Sequence, residues 1–257
     1  STKIVHEIFP LVTDCQRSHR SSEFINASNY FLSAMAAMPE NFIQIVSPST
    51  LLKNILGASA QSFVSGQDTP LLDAALCSLI RASSGLELTK TTIAHVLSES
   101  SEVDNRVDPA FTTKTFHLLI TCANNHEQHK CIASKCRAFL MVSIGLLRDR
   151  RCATAQLASN VKLFSKTMTA LISKKELLLM GGREIALICS EMNPLIIYNG
   201  VNVHDDAKEG SAIFSCCCSV VASLIAHYPK QLYGCPSCLF SFLLALLSHI
   251  LQTSTRK

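Results

Sequence analysis

The sequence has no tryptophan, 6% aromatic residues and few residues that make turns, with 9 glycines and 8 prolines in 257 positions. Strand-rich proteins need more turn residues and more aromatic side chains than this. Apolar residues make up 48% of the chain, and Leu, Ala, Ser and Ile dominate, which favours helices. The composition therefore argues against a β-protein. The length allows a large core in one or two domains.

The sequence also lacks the signatures of nucleophilic, nucleotide-dependent and zinc-dependent catalysis. It contains no G-x-S-x-G, no G-x-x-x-x-G-K-[ST] and no H-E-x-x-H, and His126-Glu-Gln-His129 has the wrong spacing for the last pattern. Gly181-Gly-Arg183 could hold a phosphate at a helix start, but such a pair more often separates two helices. Isolated histidines in helical runs are interpreted as structural: His6, His95, His117, His227 and His249. We therefore predict no enzyme activity, no catalytic residue and no small-molecule substrate.

Apolar runs long enough to span a membrane are missing as well. The uncharged run from Leu239 to Gln252 is about four residues short of the roughly 18 that a span needs, and the run at 211–226 is similarly short. Residues 1–20 lack the basic start and apolar core of a signal peptide. We therefore predict no membrane contact, and a membrane protein using helices 211–228 and 236–253 stays open as an alternative.

Cysteine, in contrast, is abundant, with twelve residues. Without a secretory signal, these cysteines are expected to be thiols in a reducing compartment, where they behave as small hydrophobic residues. Cys235-Pro-Ser-Cys238 is a C-x-x-C pair, but no βαβ pattern precedes it and zinc would need two further ligands. The pattern Cys122-x3-His126-x2-His129-x-Cys131-x4-Cys136 has ligands that suit zinc, but its turn is expected to be a solvated connection. We predict no metal and no cofactor, and a structural zinc in the second stretch is the alternative.

Repetition is the main feature that the sequence does contain. Apolar stripes at helical spacing recur about a dozen times, separated by Pro, Ser or charged breaks; the stripe from Leu157 to Leu171 is the clearest. Proline marks several helix starts, at Ser47-Pro48, Thr69-Pro70, Asp108-Pro109 and Cys235-Pro236. The pattern predicts helices near residues 3–18, 22–38, 49–64, 70–83, 89–99, 109–125, 133–151, 153–174, 176–191, 206–228 and 236–253.

Most connections between these helices are short, so neighbouring helices are expected to be antiparallel, as in HEAT and armadillo repeats. Longer connections are predicted around 100–108 and 193–206. The predicted fold class is all-α: an irregular helical-repeat (HEAT/armadillo-like) solenoid of antiparallel helix pairs, forming a single segment over 1–257.

Two of the late helices have distinctive faces. Helix 206–228 carries an apolar stripe and a second stripe of Ser211, Ser215, Ser219 and Ser223. We expect the small side chains of the second stripe to let a neighbour pack closely, which makes this an inner helix. The last helix, 236–253, is almost continuously apolar and is expected to be buried.

Basic residues are concentrated in one part of the chain. The stretch from Lys130 to Arg183 holds eleven basic and two acidic residues, a charge of +9 in a chain of net charge +4. A solvated charged face is one explanation, and a polyanion or acidic partner is the other. No aromatic residues lie between the charges, so an RNA contact would be electrostatic, salt-sensitive and without base stacking. The candidate contacts are Arg137, Arg148, Arg150, Arg151, Lys162 and Lys166.

The final third of the chain resembles a known family. A long helix with a short basic turn, from Ile213 to Gly234, is followed by the closing apolar helix from Leu239 to Leu251. Together they resemble the C-terminal region of the unhealthy ribosome biogenesis protein two (nucleolar pre-ribosomal-associated protein) family. The stretch from Lys175 to Cys189 resembles the helix pair that leads into this region, which we assign to 170–257.

The resemblance implies a non-enzymatic helical-repeat scaffold in the nucleolus. Members of the family act in early large-subunit ribosome assembly and pre-rRNA processing, together with protein assembly factors that include a helicase. The partners implied for this chain are such factors and the pre-rRNA backbone. Family members are far longer, and this sequence begins without Met, so we expect it to be part of a longer protein. A generic HEAT/armadillo-type protein-binding adaptor in the cytosol is the alternative.

Overall fold

The structure is a computed structural model that describes residues 30–35, 47–64, 70–82, 85–98, 108–148, 154–174, 177, 181–201, 207–233, 240–244 and 247. The described secondary structure is helical throughout, without strands in those ranges, which confirms the all-α prediction. The helices are α1 (Pro48–Val64), α2 (Pro70–Arg81), α3 (Gly85–Ser98), α4 (Pro109–Cys122), α5 (His126–Arg148), α6 (Thr154–Ser173), α7 (Gly182–Val201), α8 (Ala207–His227) and α9 (Pro229–Tyr233). Residues 30–35 and 240–244 are also helical.

The chain forms two compact units. The first comprises Ser1–Val107 and Leu118–Ile132, and the second comprises Asp108–His117 and Ala133–Lys257. The single solenoid segment over 1–257 stays a prediction. The predicted helix at 3–18 lies outside the described residues.

Proline at the first helical position is confirmed for α1, α2 and α4, which begin at Pro48, Pro70 and Pro109. The preceding side chains cap two of these helices, because they accept bonds from backbone N–H groups that have no partner inside the helix. Ser47 Oγ accepts from the N–H of Thr50 at 3.2 Å, and Asp108 Oδ1 accepts from the N–H of Ala110 at 2.8 Å. The fourth proposed start, Cys235-Pro236, lies outside the described part of the chain.

In the first unit, α1, α2 and α3 contact one another. They bury aliphatic side chains that recur at helical spacing, such as Leu72, Leu76 and Leu79 of α2. A polar residue also lies in this core. Gln128 of α5 is fully buried, and its amide donates to the Ile80 carbonyl at 2.7 Å and to Thr89 Oγ1 at 3.2 Å. The first bond satisfies a carbonyl in the last turn of α2, where the carbonyls have no partner within the helix, and the second joins α5 to α3.

The residues of the predicted solvated connection, Asn124, Asn125 and Glu127, are exposed as expected, but the helix α5 already begins at His126, whereas the sequence predicted a helix from 133. The predicted start was wrong because a reciprocal cap stabilises the earlier one. Asn125 Oδ1 accepts from the N–H of Gln128 at 2.9 Å, and Gln128 Oε1 accepts from the N–H of Asn124 at 3.1 Å. This arrangement is a variant of the capping box, in which a residue at the third helical position bonds back to the start.

The helix α7 also differs from its prediction. It spans Gly182–Val201 instead of 176–191, so much of the connection expected at 193–206 is helical. Pro194 lies inside it. A helix can keep an internal proline when packing outweighs the lost hydrogen bond, and Met192 and Leu195 on either side are buried.

In the second unit, α8 contacts both α6 and α7, as expected for an inner helix, and α9 contacts α7 and α8. The predicted stripe of α6, from Leu157 to Leu171, is buried. The first part of α4 joins α5 through stacked rings of Phe116 and Phe139, whose centroids are 4.4 Å apart with 2° between the planes. Both rings are fully buried.

Candidate functional site

A groove of about 590 Å³ lies in the second unit, lined by side chains of α6 and α8 and by His117 of α4. We call it the α6–α8 groove. The walls are joined below the surface, because Ser165 Oγ of α6 donates to the Cys216 carbonyl of α8 at 3.0 Å.

The α6 wall carries two of the predicted cationic contacts. Lys162 and Lys166 are exposed and four residues apart, so their side chains emerge one turn apart on the same face. No Asp or Glu is among the described residues that line the groove. Burial and the nearby Lys166 lower the pKa of His117 from 6.5 to about 4, so His117 is neutral at pH 7. The charge of the groove therefore comes from the two lysines.

The α8 wall carries the serine stripe. Ser211, Ser215 and Ser219 are exposed, and the last two line the groove. The expected packing of a neighbour directly on these serines is therefore wrong, although α6 packs on α8 beside them, at Cys216. The apolar stripe from Ile213 to Leu224 is buried instead, because apolar side chains gain most from leaving water, whereas hydroxyls stay solvated at little cost.

Among the described lining residues, the groove contains one buried hydroxyl without a partner. Thr169 Oγ1 of α6 is buried and has no hydrogen bond, although its residue lines the groove. A buried hydroxyl without a partner is costly, so a ligand group that reached it would gain a hydrogen bond without competing against an existing one.

The other predicted basic contacts have different surroundings. Arg137 is exposed on α5. Arg148, at the end of α5, donates from Nε and Nη2 to Glu191 Oε1 of α7 at 2.9 and 2.8 Å. Its charge is thus already matched by a carboxylate. Arg150 and Arg151 lie outside the described residues.

One residue of the cysteine-rich stretch is part of a disulfide. Cys122 forms a disulfide with Cys77, with a Cα–Cα distance of 5.4 Å, so the expectation that all cysteines are thiols is wrong for this pair. Within the described ranges, no group of three or more His, Cys, Asp or Glu could hold a metal ion. Burial raises the pKa of Cys136 to about 12. Cys235 and Cys238 lie outside those ranges.

The last helix exposes an apolar face that the sequence predicted to be buried. Phe240, Leu243, Leu244 and Leu247 are 62, 45, 49 and 54% exposed, respectively, whereas Phe242 is 6% exposed. The exposed residues are spaced i, i+3, i+4 and i+7, the spacing of one helix face. Contiguous apolar surface of this kind marks contact sites for other proteins or membranes.

One described helix is long and apolar enough to cross a membrane by length and composition alone. It is Glu209–His227 within α8. Its most apolar 18-residue stretch has a mean hydropathy of 1.7, and 33% of that stretch is buried. Core helices pass the same criterion, and α8 contacts α6 and α7. The run at 211–226 was expected to be too short for a span, and by length and composition that expectation is wrong.

Comparison of the chain with protein-family models, curated proteins and solved structures gave no match. The residues and the geometry described above are therefore the basis for the function.

Proposed function

We propose that the chain is a non-enzymatic scaffold of the nucleolus that acts in early large-subunit ribosome assembly and pre-rRNA processing. It would bind protein assembly factors and contact the pre-rRNA backbone. The setting comes from the resemblance of 170–257 to the nucleolar pre-ribosomal-associated family. The observation that carries the scaffold role is the exposed apolar face of Phe240, Leu243, Leu244 and Leu247 within that region.

This apolar face suits a protein partner because burying it would release water from a row of large side chains. Each such residue contributes about 1.5–3 kcal/mol when it moves from full exposure to full burial, and the four are about half exposed. A partner helix or groove that covered the row would therefore bind mainly through the hydrophobic effect.

We further propose that the helices form an irregular repeat solenoid of antiparallel pairs. In each unit, the principal helix contacts join elements one or two positions apart in the chain, such as α1 with α2 and α3, or α8 with α6 and α7. Solenoids have this local pattern because each repeat packs only on its neighbours. Such stacks leave long outer surfaces available for partners.

The polyanion contact in this proposal comprises Arg137, Arg148, Arg150, Arg151, Lys162 and Lys166. Three of them support it most directly, since Arg137, Lys162 and Lys166 are exposed and make no ion pair with a described residue. Arg148 would have to exchange Glu191 for a phosphate, a change between two charge-assisted pairs.

The apolar face is tested by substituting Leu243 and Leu247 with Gln in a tagged chain expressed in cells. The control is Leu71→Gln on α2, where a leucine is 48% exposed outside the proposed surface. We expect the wild-type chain and the control to locate to the nucleolus and to co-purify with large-subunit assembly factors. The double variant should lose most of that co-purification while its helical content is unchanged.

The same experiment decides between the alternatives. A wild-type chain that stays in the cytosol and recovers no pre-ribosomal protein would contradict the nucleolar scaffold and favour the generic adaptor. A chain that remains in the membrane fraction after salt and alkaline washes would instead support a span through α8. Unchanged recovery of assembly factors by the double variant would remove the apolar face from the proposal.

A further inference from the structure

We propose that the α6–α8 groove binds the sugar–phosphate backbone of single-stranded RNA without reading its bases. This inference rests on the RNA-contact part of the proposed function, and it specifies both the site and the portion of the RNA that the site contacts.

The cationic wall accounts for phosphate binding. Lys162 and Lys166 lie one helical turn apart and both project into the groove from α6. Their separation along the helix axis is about 6 Å, which allows each ammonium group to contact its own phosphate. Lysine acts as a point charge with three rotatable donors, so it can follow a flexible strand rather than require one fixed oxyanion geometry.

The opposite wall accounts for a preference for RNA. Ser215 and Ser219 of α8 are exposed and also one turn apart. A serine hydroxyl both donates and accepts hydrogen bonds, as does the ribose 2′-hydroxyl that distinguishes RNA from DNA.

The two walls provide few contacts for nucleic-acid bases and little room for a double helix. None of the described lining residues is Phe, Tyr or Trp, and the one aromatic ring there, the imidazole of His117, is half-buried, so the groove offers little surface on which unpaired bases could stack. Packed helices have axes about 8–10 Å apart, and a recess between two of them admits one strand more readily than a double helix.

Charge outside the groove favours a long polyanion over a phosphorylated peptide. Lys135 and Arg137 of α5 and Arg183 of α7 are exposed in the same unit. Phosphopeptide sites concentrate arginines around one phosphate, where bidentate bonds give specificity. Here the cations in the groove are lysines and further charges are distributed over other helices, which suits a regularly charged strand.

The test uses the purified chain and fluorescently labelled 15-nucleotide oligomers of uridine, adenosine and deoxyuridine, with binding followed by anisotropy at several salt concentrations. A phosphoserine peptide is the fourth probe. The variants are Lys162→Gln with Lys166→Gln, and Ser215→Ala with Ser219→Ala. Lys53→Gln with Lys230→Gln removes the same charge from exposed positions outside the groove and is the matched control. All of these side chains are exposed, so circular dichroism should report unchanged folding.

We expect the wild-type chain to bind both RNAs with affinities within about twofold of each other. Substituting both groove lysines with glutamine should weaken binding at least tenfold. The slope of log affinity against log salt should decrease in magnitude by about 1.4, since each single-strand phosphate contact contributes about 0.7. Substituting both groove serines with alanine should weaken RNA binding several-fold and leave DNA binding unchanged. The lysine control should match the wild-type chain.

Three results would overturn the inference: an unchanged salt slope in the groove lysine variant, equal loss of RNA and DNA affinity in the serine variant, or tighter binding of the phosphopeptide than of RNA. The outcome is separable from the proposed function. Normal RNA binding by the groove lysine variant, in a chain that still recovers assembly factors, rejects the groove alone. Specific RNA binding by a chain that never enters the nucleolus rejects the proposed setting alone.

Discussion

At the scale of single residues, two glycines differ in whether their surroundings leave room for a methyl side chain. A Cβ atom added to Gly85 would overlap the Ile80 carbonyl oxygen and lie 2.8 Å from Gln128 Nε2, whereas one added to Gly57 would meet nothing within 4 Å. Gly85 therefore leaves room for the hydrogen bond between Gln128 and Ile80. Gly57 lies exposed inside α1 and has no comparable reason to be glycine.

We therefore predict that Gly85→Ala lowers the free energy of unfolding by about 1–3 kcal/mol, because the core must shift to accept the methyl group. The matched control, Gly57→Ala, should raise it by about 0.5–1 kcal/mol, because alanine has the higher helix propensity. Urea unfolding followed by circular dichroism measures both. Equal effects of the two substitutions would show that the buried amide does not constrain position 85.

At the scale of helices, the stacked pair of Phe116 and Phe139 joins α4 to α5. We predict that each Phe→Ala substitution destabilises the protein by about 3–5 kcal/mol. In the double variant, the coupling between the two positions should be about 0.5–1.5 kcal/mol beyond the area that each ring buries. A double-mutant cycle from urea unfolding gives this coupling. Strictly additive effects would mean that the rings fill volume without a specific interaction.

Helix boundaries also show what local patterns could and could not predict. The starts at Pro48, Pro70 and Pro109 were predicted because proline and its capping neighbour act within one turn. The start of α5 was missed, although Asn125-x-x-Gln128 is a recognisable capping pattern. The continuation of α7 through Pro194 had no local signal, since it depends on tertiary burial of Met192 and Leu195.

At the scale of the whole molecule, a disulfide joins Cys77 to Cys122, which are 45 positions apart in the sequence. We predict that reduction lowers the free energy of unfolding by about 2–4 kcal/mol, because the cross-link restricts the unfolded chain. Cys77→Ala is the control, since its unfolding midpoint should not respond to reductant.

Alkylation of the denatured protein without reductant provides a direct test of this pair. Cys77 and Cys122 should remain unmodified, whereas the free cysteines, such as Cys136 and Cys217, should react. The same labelling in cells also bears on location, because disulfides are rare in the cytosol and nucleus. Full alkylation of both residues in purified, unreduced protein would contradict the pairing.

The candidate site could be predicted only in part. Lys162 and Lys166 were selected from the basic stretch, and their exposure could be expected because the apolar stripe of α6 occupies another face. The hydroxyl wall was misassigned, because spacing alone does not tell whether a serine face meets a neighbour or water. Arg148 was selected as a polyanion contact, but its carboxylate partner is 43 residues away in the sequence.

The amino-acid order fixed the properties that depend on a few neighbouring residues: helical conformation, several helix starts, and the separation of apolar from charged faces. Packing decided the pairings between distant positions, such as Cys77 with Cys122 and Ser165 with Cys216. It also decided that the serine stripe and the Phe240 face meet solvent. The physical reason is that burial depends on which surfaces of other helices are available to cover a side chain, and one helix's periodicity does not encode this.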